Sequence, residues 1–367
     1  MSADLIRLME LVETFSRRRV LVLADLVADE FVGGEITRVS REAPVLILRH
    51  TETRLVPGGG ANAANNLADL GAEVLFCGVV GSDASGDALV TYFQQKKISV
   101  RGVLRARGWT TPTKTRYLAG FAHTSRQQVL RVDREPPAPP EPGMLSSIER
   151  RARRLLRRAH AVLASDYGFG VVTPQLVKRL HVSARVPVTV DSRYSLLAYR
   201  GAHIAAATPN EPELEALYHT RIGSDRAALE HLGRHALRQL GFQALVVTRG
   251  KDGMALFERG RRTEHLPVYG AAEAVDVTGA GDTVIAVFTL ALAAGASYAE
   301  AARLANIAGG IVVMKRGTAT VTQAELLAAL RGEITGDAAE LPPAQAAKPS
   351  GGRPEKPRSP RLRRTPA

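Results

Sequence analysis

The chain has 367 residues, of which 45% are hydrophobic and 23% are charged, and its formal net charge is +13. This composition is typical of a folded globular protein and excludes general disorder or a fibrous repeat. The single cysteine, Cys77, excludes an intramolecular disulfide and a zinc site built on several thiolates, so we expect a reducing, cytoplasmic setting. No apolar run approaches the ~20 residues that span a bilayer, and residues 4–15 form an acidic amphipathic stretch, so no membrane association is predicted.

Short apolar runs alternate with helical patterns along most of the chain. The apolar runs predict buried strands at 20–24, 74–80, 161–164, 186–190 and Ala244–Thr248. Apolar residues spaced three and four apart predict helices at 61–70, 84–96, 145–158, 174–182, 225–240, 280–294, 298–314 and 322–330. This alternation predicts an α/β fold with a mostly parallel central sheet between helices.

Two stretches depart from the alternation and look like strand pairs. Residues 31–37 with 45–50, and Thr113–Gly120 with 127–133, predict a small β lid over approximately 31–50 and 113–133. Exposed lid strands invite pairing, so a homodimer through them is an option. The folded domain is predicted over residues 1–335.

Basic residues concentrate in two places. Residues 336–367 are rich in Pro, Ala, Lys and Arg without an aromatic residue, which predicts a disordered basic tail. Six arginines between 150 and 158 alternate with apolar residues and predict a helix with a solvated outer face. Because no aromatic residues interleave with either cluster, a nucleic-acid partner is disfavoured, except for weak binding through the tail.

The strongest motif is DVTGAGD at 276–282, directly before a long apolar helix. Gly279 and Gly281 let backbone N–H groups approach an anion, and the helix N-terminus adds its positive end, which suits a phosphate undergoing transfer. A carboxylate at Asp282 would then suit a general base that takes the proton of the attacking hydroxyl. The alternative is a glycine loop with an acidic helix start.

Three weaker motifs lie where strands end or helices begin. TRGKDG at 248–253 follows a predicted strand, where open α/β sheets bind ligands, although it also fits a plain turn. PGGGAN at 57–62 offers backbone donors and an amide to hydroxyl groups, or is simply a glycine-rich helix start. Asp25 and Asp29 follow the first strand, at the edge where a sheet meets its ligand.

The order of ADLVAD near 25, PGGGAN at 57, TPNEPE at 208, TRGKDG at 248 and DVTGAGD at 276 resembles the ribokinase-like (PfkB) carbohydrate kinases. The segments 39–45 and 113–133, with SDY at 165–167 and KRGT at 315–318, are most similar to heptose 7-phosphate kinases of bacterial ADP-heptose synthesis. The resemblance covers about residues 10–331. It implies ATP and Mg²⁺ as cofactors and phosphoryl transfer to a sugar or sugar phosphate, here the anomeric hydroxyl of D-glycero-D-manno-heptose 7-phosphate.

The resemblance also implies roles for single residues. The base would be Asp282, with an anion hole at Thr278, Gly279, Ala280 and Gly281. The N-x-x-E pair Asn210 and Glu213 would organise Mg²⁺ through water. Nucleotide contacts would come from Thr248, Gly250, Gly253 and the helix of Asn306, and Asp276 matches a position associated with a monovalent cation such as K⁺. Sugar-binding positions would be Asp25, Gly59, Gly60 and Asn62, together with Asp191. Lys114 and Arg126 on or between the lid strands, and Arg193 after the strand that ends at Asp191, are the candidates to bind the sugar phosphate. The alternative is that they are solvated strand charges, and the direction of Arg116 stays open.

The chain departs from the heptose kinases at two motifs. Ala24-Asp25 replaces Gly-Asp, and Asp191-Ser192-Arg193 replaces Asp-Pro-Lys, which puts a planar guanidinium in place of a point charge. None of the nine histidines forms the H-x-G-H motif of a nucleotidyltransferase, so a kinase without the adenylyltransferase half is predicted. The alternatives are a PfkB kinase for another sugar or nucleoside, and a non-catalytic nucleotide-binding regulatory protein.

Overall fold

The structure, a computed structural model, describes residues 3–121, 126–181, 186–193, 196–270 and 274–332. The predicted tail, 336–367, lies outside the described residues. The helices are α1 Ala3–Glu13, α2 Gly60–Asp69, α3 Ala84–Gln95, α4 Pro142–Leu156, α5 Pro174–His181, α6 Glu211–Tyr218, α7 Arg226–Leu240, α8 Ala280–Ala293, α9 Tyr298–Val313 and α10 Gln323–Leu330. The strands are β1 Arg19–Val39, β2 Leu46–Gly59, β3 Glu73–Gly81, β4 Gly102–Ala106, β5 Thr113–Gly120, β6 Gln127–Arg134, β7 Ala161–Asp166, β8 Val188–Ser192, β9 Ala206–Ala207, β10 Ala244–Thr248, β11 Met254–Glu258 and β12 Glu264–Leu266.

The main sheet has the order β12-β11-β10-β9-β8-β7-β1-β3-β4. Every pair from β10 through to β4 is parallel, and only β11 and β12 add antiparallel strands at one edge. The predicted mostly parallel α/β sheet is confirmed. The parallel strands therefore end together at one edge, called here the carboxyl edge.

Helices cover both faces of this sheet, as the side chains of β1 show. Val20, Val22 and Ala24 belong to the core beneath α1, α2, α3, α8, α9 and α10. Leu21 and Leu23 belong to the core beneath α4, α5 and α7. Successive side chains of a strand point to opposite faces, so a continuous apolar run is what a strand buried on both faces requires.

The lid sheet has the order β2-β1-β5-β6 and confirms the predicted strand pairs. The sequence predicts two separate strands where β1 is one strand of 21 residues that runs from the main sheet into the lid. The polar residues Asp25, Asp29 and Glu30 interrupt the apolar pattern, yet all three lie within paired strand, Asp25 with β3 and the other two with β2. Residues 122–125, between β5 and β6, lie outside the described part of the chain.

The predicted helices are confirmed to within a few residues, while α6 and the short strands β4, β9 and β12 are not predicted. The arginine-rich helix α4 buries Ile148, Ala152 and Leu156 and leaves its arginines on the outer side, as its spacing predicts. Among the described residues, no helix combines the length and the apolar character needed to cross a bilayer.

Candidate active site

Asp282 lies in the first turn of α8, at the carboxyl edge, and only 5% of it is exposed. Asn62 Nδ2 donates to its Oδ2 at 2.9 Å, and the Tyr167 hydroxyl donates to its Oδ1 at 2.7 Å. Burial raises the pKa of Asp282 to about 6, although the two hydrogen bonds act to lower it. A carboxylate with that pKa is ionised at neutral pH and still basic enough to take a proton.

The loop before Asp282 presents backbone donors beside it. Gly279 caps α8 with φ of 79°, and a Cβ there would lie 2.6 Å from Asn62 Nδ2. Ala280 donates its amide to Val277 O at 3.2 Å, whereas the amides of Gly279 and Gly281 have no protein acceptor among the described residues. A Cβ at Gly281 would meet no heavy atom within 4 Å. The turn therefore has free amides and free space for an anion.

Asp25 anchors the loop that carries Tyr167. Its carboxylate accepts hydrogen bonds from the amides of Tyr167 (2.9 Å), Phe169 (3.1 Å), Val171 (3.2 Å) and Val172 (3.3 Å). Burial, with Asp166 nearby, raises the pKa of Asp25 to about 7, although the amides act to lower it. Both oxygens are thus committed to the protein, which differs from the predicted contact with a sugar.

The glycines of PGGGAN act through close packing. A Cβ at Gly60 would lie 2.5 Å from Ala24 Cβ, and one at Gly59, whose φ is 51°, would press on the Tyr167 ring at 3.1 Å. Both positions let α2 approach β1 and the Tyr167 loop, and neither presents a side chain to a ligand. Of the predicted sugar-binding residues, Asn62 is the one whose side chain reaches Asp282.

The base of the lid brings Lys114 near Asp282 and pairs Arg116 with Asp29. Lys114 Nζ, on β5, lies 5.2 Å from the centre of the Tyr167 ring, and burial lowers the pKa of Lys114 while Asp29 raises it. Arg116, two residues along the strand, is partly buried and bonds to the buried Asp29 at 2.7 Å. Thr318 Oγ1 donates to the same carboxylate at 3.4 Å. The sequence predicts Asp29 at the ligand edge of the sheet and Lys114 as a candidate to bind phosphate, leaves the direction of Arg116 open, and does not predict that Arg116 pairs with Asp29.

Arg126 does not reach this group. Its guanidinium pairs with Glu52, and it lies against Gly33 of β1. Gly33 is four residues beyond Asp29 along an extended strand, about 13 Å away. Because β6 returns along the outer lid, Arg126 finds an acceptor across the sheet, and the structure does not place it with the predicted substrate residues.

A second cluster of predicted residues lies at the ends of β9 and β10. Asn210 and Glu213 form a capping box on α6, in which Glu213 N donates to Asn210 Oδ1 (2.8 Å) and Asn210 N to Glu213 Oε2 (2.9 Å). Asn210 also bridges to Thr248. The buried Thr208 Oγ1 has no partner in the described residues, which leaves one polar group beside this cluster for a ligand. The N-x-x-E pair and the TRGKDG turn thus share one site.

The glycines of that turn are required by backbone geometry. Gly250 and Gly253 have φ of 55° and 79°, and a Cβ at Gly253 would lie 2.0 Å from Leu266 O. Further along, Asn306 Nδ2 donates to Pro267 O at 2.7 Å, so this amide holds the loop after β12.

Asp191 and Arg193 connect the two clusters electrostatically. Burial, followed by Asp282 and Glu213, raises the pKa of Asp191 well above its ordinary value, and Arg193 opposes this shift. Burial also raises the pKa of Glu213, again opposed by Arg193. Arg193 is therefore near enough to Asp191, Glu213 and Lys114 to influence the pKa of all three.

Asp276 joins two loops. Its Oδ1 accepts from Thr278 N and its Oδ2 from Gly317 N, both at 2.9 Å. Burial acts to raise the pKa of Asp276, but these hydrogen bonds hold it below its ordinary value. The carboxylate is therefore ionised and ties the anion loop to the KRGT segment.

The donor set fits Mg²⁺ held mainly through water. Within the ranges that the structure describes, no three His, Cys, Asp or Glu side chains converge as metal ligands. Glu213 uses Oε2 in the capping box, and its other oxygen is left for a hydrated ion. Mg²⁺ commonly keeps several waters and takes one or two carboxylates from the protein.

Comparison with known proteins agrees with this geometry. Residues 27–325 match the model of the pfkB family carbohydrate kinases. The chain belongs to the pfkB family of carbohydrate kinases. This pfkB-family chain is 41% identical over 344 residues to the Bifunctional protein HldE of Desulfatibacillum aliphaticivorans, covering 92% of this chain and 68% of the relative. It is 42% identical over 318 residues to the protein of the same name from Geobacter sulfurreducens, covering 84% and 62%. The chain thus spans about two thirds of the length of these relatives.

Solved structures share the fold of this pfkB-family chain. Ribokinase of Arabidopsis thaliana complexed with ribose and ATP superposes with a TM-score of 0.66 at 21% identity, over 86% of this chain and 98% of the other. Phosphofructokinase-2 of Escherichia coli in complex with potassium gives 0.64 at 19% identity, over 86% and 99%. The predicted ribokinase-like fold is confirmed.

Proposed function

We propose that this kinase transfers the γ-phosphoryl group of ATP to the anomeric hydroxyl of D-glycero-D-manno-heptose 7-phosphate, in ADP-heptose synthesis. The observation that carries the reaction type is Asp282, buried beside free helix N-terminal amides with a pKa of about 6. The identity of the sugar is supported by the similarity to the HldE proteins and by the segments of the sequence that resemble heptose kinases. The basic groups at the lid base supply the charge that a phosphorylated sugar needs.

Each group of site residues has its own role in the proposed reaction. The sugar hydroxyl oxygen attacks the γ-phosphorus, the bond to the β–γ bridging oxygen breaks, and ADP leaves. Asp282 takes the hydroxyl proton, while Asn62 and Tyr167 hold its two oxygens. The amides of Gly279 and Gly281 donate to the transferring group. Mg²⁺, held through water by Glu213, would neutralise charge on the ATP phosphates.

In this proposal the sugar phosphate is bound by Lys114 at the base of the lid and by Arg193, which follows β8 of the main sheet. Lys114 and Arg193 carry positive charge beside Asp282 and Asp191, and each influences the pKa of the neighbouring carboxylates. Lid closure would keep water from accepting the phosphoryl group. A K⁺ ion near Asp276, a homodimer through the lid strands and a cytoplasmic location stay predictions.

The test is a substrate panel under saturating ATP and Mg²⁺, with ADP release as the rate and phosphorus NMR to identify the product. Heptose 7-phosphate should exceed unphosphorylated heptose, fructose and ribose in kcat/KM by ~10- to 100-fold for each charged contact to its phosphate. The NMR spectrum should show an anomeric phosphate. Equal or better use of an unphosphorylated sugar would reject the heptose phosphate and leave a kinase for another sugar.

A further inference from the structure

A cavity of about 720 Å³ lies at the opposite edge of the main sheet from Asp282. It is formed by the first residues of β3 and β4 and by the C-terminal ends of α3 and α4. Strand β3 runs nine residues from this edge toward the carboxyl edge, a length of roughly 25 Å. The cavity is therefore separate from the active site, and its volume falls within the range of small-molecule sites.

The walls of the cavity have two chemical characters. Its floor is apolar: the half-buried Ala68 and Leu155 are accessible there, above the core residues Val74, Phe76 and Ile98, which are at most 7% exposed. Its rim carries one acidic residue, Glu73, and five basic ones, which are Lys96, Lys97, Arg101, Arg154 and Arg158. An apolar floor under a basic rim suits a ligand with an apolar ring at one end and negative charge at the other.

Two of the five rim cations are neutralised by the protein. Lys96 bonds to Asp69 at 2.7 Å, and Arg158 bonds to Glu73 at 2.8 Å. Lys97, Arg101 and Arg154 form no ion pair with any carboxylate in the described residues. The rim therefore keeps three positive charges for a ligand.

The position of these cations is only partly explained by the helices. Basic residues in a last turn complement the negative end of a helix, which applies to Arg154 on α4. Arg101 lies in the turn before β4, beyond the end of α3. Lys97 adopts φ of 60°, a backbone conformation that favours glycine, and so presents a charged side chain where glycine would fit the turn better. Helix capping explains neither of these cations, nor the apolar floor.

We propose that this basic cavity binds a nucleotide-like anion, with its ring on the apolar floor and its phosphates against Lys97, Arg101 and Arg154. A nucleoside diphosphate has both parts, and its two phosphates can engage three cations. The proposal does not depend on which sugar the active site phosphorylates.

ADP is the probe, and calorimetric titration of the full chain gives the number of sites. We expect two ADP per chain, one at the active site and one, more sensitive to salt, in the basic cavity. The variant R101A/R154A should keep the affinity of the active site for ADP. It should bind the second ADP ~100-fold more weakly or not at all, because the loss of each of two charged contacts weakens binding by ~10-fold. The matched variant R150A/R157A removes two exposed arginines, one within α4 and one at its C-cap, that lie outside the cavity, and it should keep both sites.

Pyrophosphate and adenosine separate the two halves of the ligand. Both should bind the cavity more weakly than ADP, because each lacks one of the matching parts. One ADP per chain in the unmodified protein, or an equal loss in R150A/R157A, would overturn the proposal. Pyrophosphate binding there as tightly as ADP would overturn the role of the apolar floor.

Discussion

The carboxyl edge of the main sheet and the outer lid hold their charges in opposite ways. At the carboxyl edge, Asp25 and Asp282 are buried and both oxygens of each carboxylate accept hydrogen bonds from the protein. In the outer lid, Arg126 with Glu52 and Arg49 with Glu35 are exposed surface pairs. Buried groups whose hydrogen bonds are all made have fixed positions and shifted pKa values. Exposed ion pairs contribute little to stability. We therefore expect catalysis and substrate binding to depend on residues at the carboxyl edge and at the base of the lid. Residues of the outer lid should contribute little to either.

The largest effect expected is on turnover in Asp282→Asn. The change is nearly isosteric but removes the base, so kcat should fall by ~10²- to 10⁴-fold. The melting temperature should stay near that of the unmodified protein. Asp87→Asn alters an exposed carboxylate that pairs with Arg105 and should keep turnover within about twofold. Equal turnover in both variants would remove Asp282 from the mechanism.

Asp25→Ala should mainly reduce stability. Four backbone amides lose their acceptor inside the protein, so the free energy of unfolding should fall by ~3 kcal/mol or more, measured by urea denaturation. Asp87→Ala breaks only the exposed pair with Arg105 and should cost less than ~1 kcal/mol. If Asp25→Ala were as stable as Asp87→Ala and failed only in sugar binding, Asp25 would be a sugar ligand, as the sequence predicts.

Lys114→Ala and Arg126→Ala compare the base of the lid with its outer part. Removal of Lys114 should lower kcat/KM for heptose 7-phosphate by ~10- to 100-fold through loss of a charged contact. Arg126→Ala breaks an exposed pair with Glu52 and should change kcat/KM by less than about threefold. A larger loss in Arg126→Ala would mean that the lid rearranges to bring Arg126 to the substrate.

Tyr167→Phe should have a smaller effect on rate than Lys114→Ala and a diagnostic effect on pH dependence. The hydroxyl bond lowers the pKa of Asp282, so its removal should raise that pKa and move the acidic limb of kcat to higher pH. The rate at neutral pH should fall by ~3- to 10-fold, the worth of one hydrogen bond. Tyr92→Phe, which removes a hydroxyl bond to Asn65, is the matched control and should leave the limb unchanged. An unshifted limb in Tyr167→Phe would show that this bond does not act on the base.

The sequence predicted the elements and the motifs better than their partners. Apolar runs and helical spacing follow from local periodicity, and Asp282 is identified by its own glycine loop. The partner that holds Asp282 Oδ1 is Tyr167, 115 residues away, and no local pattern predicts that contact. A role for Asp25 in loop anchoring also depends on how the chain returns after β7.

The partners of charged side chains were the hardest feature to predict from the sequence. Lys114, Arg116 and Arg126 look alike in sequence, and only the strand register separates them. Arg116 meets the buried Asp29, whereas Arg126 lies across from Glu52 in the outer lid. Likewise, β1 was predicted as two strands because Asp25, Asp29 and Glu30 interrupt its apolar pattern, although buried carboxylates at the end of a sheet are what an active site needs.

The pH dependence of kcat at saturating ATP and heptose 7-phosphate tests the central claim, that Asp282 is the base, most directly. Since the base must be ionised, kcat should be constant above the pKa of Asp282 in the substrate complex and fall tenfold per pH unit below it. The negative charge of ATP should place that pKa at or above the value of about 6 that holds in the ligand-free protein. The sugar phosphate titrates in the same range, so the residual activity of Asp282→Asn is measured in parallel. We expect an acidic limb in the unmodified enzyme and none in Asp282→Asn. The same limb in both proteins, or none in either, would contradict the claim.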